Sequence, residues 1–351
     1  MIMIFKRRSS KGYMTFQWHI TDACDQRCKH CYIYGAGEDF KPCAMAWQDM
    51  LDTLENCEAF CDQLDMQPCF CITGGDPLLH PDFWPLAEML HSRRILFSIL
   101  GNPFHLTPDV CRRLKKLGCT RYQLSIDGME KTHDALRRPG SFRETLDKIP
   151  MLKKARIETA VMTTVSSLNI GEMPGIVEAV VEAGTDVYAF ARYCPVRMGE
   201  TNGITPLAYR DLLYRMGKMF RSLMDAGCKT WFAKKDHLWT LYDYENGRFT
   251  PPETAEKVIS GGCSCGIAHL TILPNGDVCA CRRVPDSVVG NVLHQELGEI
   301  WGGAMNQYRQ LDQFEKCAGC ELGPWCRGCP AVAKSTNGSF YSPDPQCWKV
   351  L

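Results

Sequence analysis

The sequence predicts an α/β fold, an open partial (β/α)6 barrel of parallel strands followed by a small cysteine-rich C-terminal module. Three observations carry this. Six β-then-α units run in succession from residue 14 to about 225, the pattern of parallel strands joined by right-handed helical crossovers. Six units are too few to close a normal eight-stranded barrel, so the barrel stays open. The alternation then lapses over 227–262, where Pro251-Pro252 and Gly261-Gly262 punctuate the chain. Nine of the 21 cysteines follow between 263 and 347. The expected organisation is a barrel over 1–226, a connecting segment over 227–262 and a cysteine-rich module over 263–351.

Each element has its own signal. Apolar, β-rich runs place strands at Thr15–Ile20, Phe70–Thr73, Ile95–Leu100, Tyr122–Ile126, Thr159–Val165 and Val187–Ala191. Helix-like stretches lie between and after them, at Ala44–Leu64, Pro81–His91, Pro108–Leu117, Ser141–Lys154, Glu172–Ala183 and Pro206–Ala226. In Glu172–Ala183, Ile176, Val177, Val180 and Val181 recur at helical spacing, and Gly184 supplies the stop. Thr107-Pro108 and Thr205-Pro206 each pair an N-cap candidate with proline at the first helical position.

Composition narrows the function classes. The 351 residues are 45% hydrophobic and 23% charged, the balance of a soluble globular chain. Forty Lys+Arg against forty Asp+Glu leave no broad cationic surface, so nucleic acid is not an expected partner. No apolar run reaches the ~18 residues of a membrane span. Met1-Ile2-Met3-Ile4-Phe5 precedes Lys6-Arg7-Arg8, the reverse of a signal peptide, and a cytoplasmic location is expected. An odd number of cysteines, crowded at two places, reads as metal ligation in a reducing compartment rather than a disulfide framework.

Cys24, Cys28 and Cys31 form C-x3-C-x2-C directly after the first strand. In a parallel barrel that loop lies at the face where active sites are built. Three thiolates there can hold three irons of a [4Fe–4S] cluster and leave the fourth open to a small molecule. Spacing alone leaves open a zinc site completed by His30 or a distant ligand, and plain buried cysteines. In this context the chain resembles the radical S-adenosylmethionine superfamily, whose signature is this spacing with an aromatic-type residue, here His30, before the third cysteine.

The resemblance extends to Thr73-Gly74-Gly75-Asp76-Pro77 after the second strand. The family's usual Gly-Gly-Glu-Pro binds the methionyl amino group. Asp76 is one methylene shorter, and backbone groups can serve in its place. Ser125 and Asp127, in Ser125-Ile126-Asp127-Gly128, match positions that contact the ribose in relatives. Arg137 or Arg138, ahead of Gly140-Ser141-Phe142, matches a stretch that can supply an arginine to the methionyl carboxylate. Gly101-Asn102 and the Val165 to Asn169 loop lie at the same face with weaker signals.

The C-terminal module reads Cys263-x-Cys265, then Gly276 with Cys281 after four intervening residues, then Cys317-x2-Cys320-x5-Cys326-x2-Cys329 and a distant Cys347. It resembles the SPASM extension of radical enzymes that modify peptides, proteins and some small cofactors. The usual last x3 is x2 here, a variant shared with relatives acting on haem precursors. The family's interleaved ligation implies one auxiliary [4Fe–4S] cluster on Cys317, Cys320, Cys326 and Cys347, and a second on Cys263, Cys265, Cys281 and Cys329. Cys279 is a fifth candidate for the second set. Paired C-x2-C units are zinc-like as well, so two zinc ribbons are the competing reading.

Cys43, Cys57, Cys61, Cys69, Cys71, Cys111, Cys119, Cys194 and Cys228 read as small buried hydrophobes. Tyr188 and Tyr193 read equally as core, rim or proton donors. The resemblance implies an oxidoreductase that binds S-adenosylmethionine at a three-cysteine cluster, reductively cleaves it to a 5′-deoxyadenosyl radical and abstracts hydrogen from a C–H bond. The expected substrate is a ribosomally made peptide, receiving a thioether or another crosslink. A haem or porphyrin precursor is the second expectation and sulfatase-type maturation the third, which lacks an assignable catalytic acid. A zinc-stabilised binding scaffold is the non-enzyme alternative. An electron donor such as flavodoxin or ferredoxin is implied as partner. About 14 residues precede the first strand, so a separate leader-binding protein is expected if a leader is recognised outside the barrel mouth.

Overall fold

The computed structural model of the chain describes residues 11–36, 41–197, 199–252 and 258–350; the Met1–Arg8 run read above lies outside them. Ten strands form one sheet: β1 (Gly12–Thr21), β2 (Met66–Gly74), β3 (Leu96–Leu100), β4 (Cys119–Ser125), β5 (Glu158–Val165), β6 (Val187–Arg192), β7 (Trp231–Ala233), β8 (His269–Ile272), β9 (Asp277–Cys279) and β10 (Val288–Asn291). Strands β1 to β7 follow one another in sequence order, each parallel to the next. The first six are the six predicted from the sequence. At the other edge β8 pairs parallel with β1, and β9 and β10 add antiparallel. The C-terminal segment therefore extends the barrel sheet.

The helices are α1 (Trp47–Gln63), α2 (Phe83–Ser92), α3 (Pro108–Lys116), α4 (Glu130–Leu136), α5 (Ser141–Lys154), α6 (Met173–Glu182), α7 (Pro206–Asp225), α8 (Trp239–Glu245), α9 (Leu297–Gly302) and α10 (Pro330–Asn337). Six of them answer to the predicted helical stretches, while α4 and α8 to α10 were not anticipated. Thr107 and Thr205 cap α3 and α7, accepting from the amides of Val110 and Ala208 at 3.2 Å.

Strand alternation separates core from site. On β1 the residues Met14, Phe16, Trp18 and Ile20 are at most 1% exposed and belong to the hydrophobic core, while Gln17 faces the interior cavity. The same division recurs at Phe70 and Ile72 against Thr73, and at Tyr122 and Leu124 against Gln123 and Ser125. Successive residues of a strand point to opposite faces. One face packs apolar side chains beneath the helices, and the other lines the lumen with short polar groups.

Candidate active site

The loop after β1 is fixed before its cysteines are placed. Thr21 makes a bridge with Ala44, and its hydroxyl accepts from the amide of Ala23 at 3.0 Å. Gly75 and Asp76 then donate their amides to the carbonyls of Thr21 and Ala23, both at 2.7 Å, so the end of β2 is laced to the loop. That approach requires glycine. A Cβ on Gly74 would sit 1.9 Å from the Thr21 carbonyl oxygen, and one on Gly75 2.1 Å from that of Ala23. Arg27 takes a left-handed φ of 50° just before Cys28 and stacks over Tyr34 at 4.0 Å. The amide of Cys31 closes a turn onto the carbonyl of Cys28 at 3.1 Å.

Cys24, Cys28 and Cys31 are half-buried and share the wall of a cavity of about 350 Å³ in the barrel mouth. Gly74, Gly75, Ser125 and Arg137 line the same space; Asp76, Pro77, Asp127 and Arg138 do not. Asp76 is fully buried, and its two oxygens accept from the backbone amides of Leu78 at 3.0 Å and Asn102 at 3.2 Å. Burial pushes its carboxyl up to about 6, against the pull of those two amides and His105. Arg138 turns away, stacking on Phe104 at 3.2 Å and reaching Glu144 at 3.7 Å.

Asp127 lies behind Arg137. Its Oδ2 accepts from Arg137 Nε at 2.7 Å and Nη2 at 2.6 Å and faces His30 Nε2 at 3.0 Å. Its Oδ1 accepts from the Thr164 amide at 2.7 Å. Burial alone would raise this carboxyl, but the Arg137 charge and the hydrogen bonds of its neighbours hold it well below the usual carboxylate range. The Arg137 guanidinium is thereby aimed, with Nη1 at 3.2 Å from Gln26 Oε1 and 3.6 Å from Cys28 Sγ. His133 completes the frame, accepting from the Asp127 amide at 3.0 Å and lying 2.7 Å from Ser141 Oγ.

A second group of sulfurs faces the first across the same cavity. Cys263, Cys265, Cys281 and Cys329 all line it. Cys279 is buried and lines neither this cavity nor the next. Cys317, Cys320, Cys326 and Cys347 converge on a separate small cavity with Asp344 and Lys316. Lys316 Nζ lies 3.7 Å from Cys347 Sγ. Both quartets thus gather four soft sulfur donors from distant parts of the chain around one space, a donor set suited to iron–sulfur clusters.

Several cavity residues carried no motif in the sequence. Lys235, Arg282 and Arg283 line the space, and among the described residues no carboxylate lies within ion-pair distance of them. Burial opposes the Arg283 charge, while Cys329, Cys281 and Cys194 favour it. Cations beside thiols favour the thiolate that a metal requires. Arg192 is fully buried between Asp236 at 2.9 Å and Asp344 at 2.6 Å. A charged residue directly after the apolar run Val187–Ala191 was the one available signal for it.

Comparison with known proteins agrees with this arrangement. The radical SAM superfamily profile matches residues 18–180, and the profile of an iron–sulfur cluster-binding domain, SPASM, matches 263–330. The chain is similar to an AdoMet-dependent heme synthase of Methanosarcina barkeri, 28% identical and covering 94% of this chain and 95% of that one. A mycofactocin maturase, MftC, of Mycobacterium ulcerans is 26% identical, covering 94% and 86%. Among solved structures, Streptococcus suis SuiB bound to its precursor peptide SuiA superposes with a TM-score of 0.75 at 17% identity, covering 97% of this chain and 76% of that one. No helix among the described residues is long and apolar enough to cross a membrane.

Proposed function

Because the chain belongs to the radical SAM superfamily and carries a SPASM iron–sulfur cluster-binding domain, we propose that it is a peptide maturase acting on a C–H bond of one residue held in the barrel cavity. Bound at Cys24, Cys28 and Cys31, a [4Fe–4S] cluster would supply reductive cleavage of S-adenosylmethionine and, from it, a hydrogen-abstracting radical. The remaining work belongs to the chain. Gly74 and Gly75 shape the wall beside the cysteine loop, Ser125 offers a hydroxyl, and Arg137 offers a guanidinium oriented by Asp127. Cys263, Cys265, Cys281 and Cys329 would hold one auxiliary cluster facing the substrate, and Cys317, Cys320, Cys326 and Cys347 a second. The boundaries 1–226, 227–262 and 263–351 divide these tasks.

The observation that carries the peptide reading is the likeness to the mycofactocin maturase MftC, which spans 94% of this chain, together with a fold shared with SuiB bound to its precursor peptide. The second reading, modification of a haem precursor, rests on the likeness to the AdoMet-dependent heme synthase. A cytoplasmic setting, a flavodoxin or ferredoxin as electron donor, and a separate protein for any leader sequence complete the proposal.

Incubating the reduced, reconstituted enzyme with S-adenosylmethionine and either a synthetic peptide panel or iron coproporphyrin III separates the readings. A mass change confined to a peptide is expected. Modification of the porphyrin alone would replace the first reading with the second.

A further inference from the structure

Asn102 has its backbone amide, its backbone carbonyl and its side-chain Nδ2 engaged, and one of those contacts is a sulfur of the first cysteine group. Its amide donates to Asp76 Oδ2 at 3.2 Å, and its carbonyl accepts from the Tyr122 hydroxyl at 2.9 Å. Its side-chain Nδ2 reaches Asp25 Oδ1 at 3.1 Å and Cys24 Sγ at 3.4 Å. Asp25 is in turn held by His105 at 2.9 Å. Asp76 and Tyr122 are both fully buried. The preceding residue must be glycine for this to close, since a Cβ on Gly101 would lie 2.5 Å from the Tyr122 hydroxyl oxygen. A side chain fixed from so many directions has little freedom to leave the sulfur.

We infer that Asn102 is a positioning residue that donates an N–H···S hydrogen bond to Cys24 and thereby raises the reduction potential of a cluster held there, with Asp76 acting through Asn102 rather than on the cofactor. The inference rests on the reading that Cys24 ligates iron. Its physical basis is general. An N–H directed at a ligating sulfur draws electron density from it, which favours the more reduced, more negative state of the cluster. Asp76 supports this by holding the Asn102 backbone, and Asp25 by sharing the amide so that it cannot rotate away. The acidic residue of the Gly-Gly-Asp-Pro stretch thus has a task although its side chain does not line the cavity.

The test is an EPR-monitored redox titration of the reconstituted full-length enzyme, following the cluster whose signal responds to S-adenosylmethionine. Asn102→Leu keeps the approximate volume without the donor, and Asn102→Asp keeps the shape with a carboxylate facing the sulfur. The potential should fall in Asn102→Leu and fall further in Asn102→Asp. At a fixed reductant potential near the wild-type midpoint, the reduced fraction should drop severalfold in both. Affinity for S-adenosylmethionine should stay within about twofold of wild type. A wild-type potential in both variants would overturn the inference. So would loss of this cluster from both variants with auxiliary iron retained, because Asn102 would then be part of the loop's frame only. If wild type itself shows no cluster responding to S-adenosylmethionine, the functional reading fails as well, and with it this inference.

Discussion

Arg192 at the end of β6 and Asp344 near the C-terminus share two hydrogen bonds, at 2.6 and 2.8 Å, with neither side chain more than 1% exposed. Asp344 Oδ2 also accepts from the backbone amide of Cys329 at 2.6 Å, and Arg192 also reaches Gln346, next to Cys347, at 2.9 Å. One guanidinium therefore ties a barrel strand to a side chain hydrogen-bonded to Cys329 of one C-terminal quartet and to the side chain next to Cys347 of the other. Asp236 faces its other side, and the ring of Tyr209 lies 4.8 Å away.

Arg192→Met should destabilise the holoprotein by about 3–5 kcal/mol, since it leaves Asp236 and Asp344 buried without their cation. Thermal unfolding of the anaerobic protein measures it. A change below 1 kcal/mol would show that the pair holds nothing together.

Cys279→Ala should retain the full iron content, about twelve atoms for three four-iron clusters, while Cys329→Ala should lose iron. The expectation follows from position, because Cys329 lines the cavity with Cys263, Cys265 and Cys281 and Cys279 does not. Iron analysis after anaerobic reconstitution checks both variants. Loss of four irons in Cys279→Ala would exchange the two residues in the ligand set.

Asp76→Asn should change affinity for S-adenosylmethionine by less than threefold while lowering stability by about 1–3 kcal/mol. The Leu78 and Asn102 amides approach different carboxylate oxygens, so in asparagine one of them faces the NH2 donor and is left unpaired. Cofactor titration beside thermal unfolding checks it. A tenfold loss of affinity without loss of stability would place the carboxylate on the cofactor.

Burial pulls the His133 imidazole down to about 4, and the Arg137 charge adds to the effect. The unfolded chain, with a histidine near 6.5, binds the proton first. Stability from this group is present above pH 6.5 and lost as pH falls toward 4, by at most about 3 kcal/mol. His133→Gln should flatten that part of the stability profile, measured by denaturant titration between pH 7 and 4.5. An unchanged slope would show that His133 does not titrate with unfolding.

The parts legible in the sequence were those with local signals. Six strands announced themselves as apolar runs, and the spacing of Cys24, Cys28 and Cys31 lies within eight residues. Strand β7 is three residues long with Trp231 exposed, so nothing in it alternates strongly enough to read. Helix α4 buries only His133 and has no apolar stripe. The pairing of Thr15–Trp18 with His269–Ile272 joins segments at opposite ends of the chain, and no local pattern encodes it. Arg137 and Arg138 are adjacent and chemically alike, and only the fold decides that the first meets Asp127 and the second Phe104.

The most direct test of the whole account is formation of 5′-deoxyadenosine by the reconstituted, reduced protein supplied with S-adenosylmethionine under anaerobic conditions. The wild type should release it with methionine. The variant carrying alanine at Cys24, Cys28 and Cys31 should release none, while keeping about eight irons in the C-terminal region. Cleavage at the wild-type rate by that triple variant, or none by an iron-replete wild type, would contradict the assignment of these three cysteines to the catalytic centre.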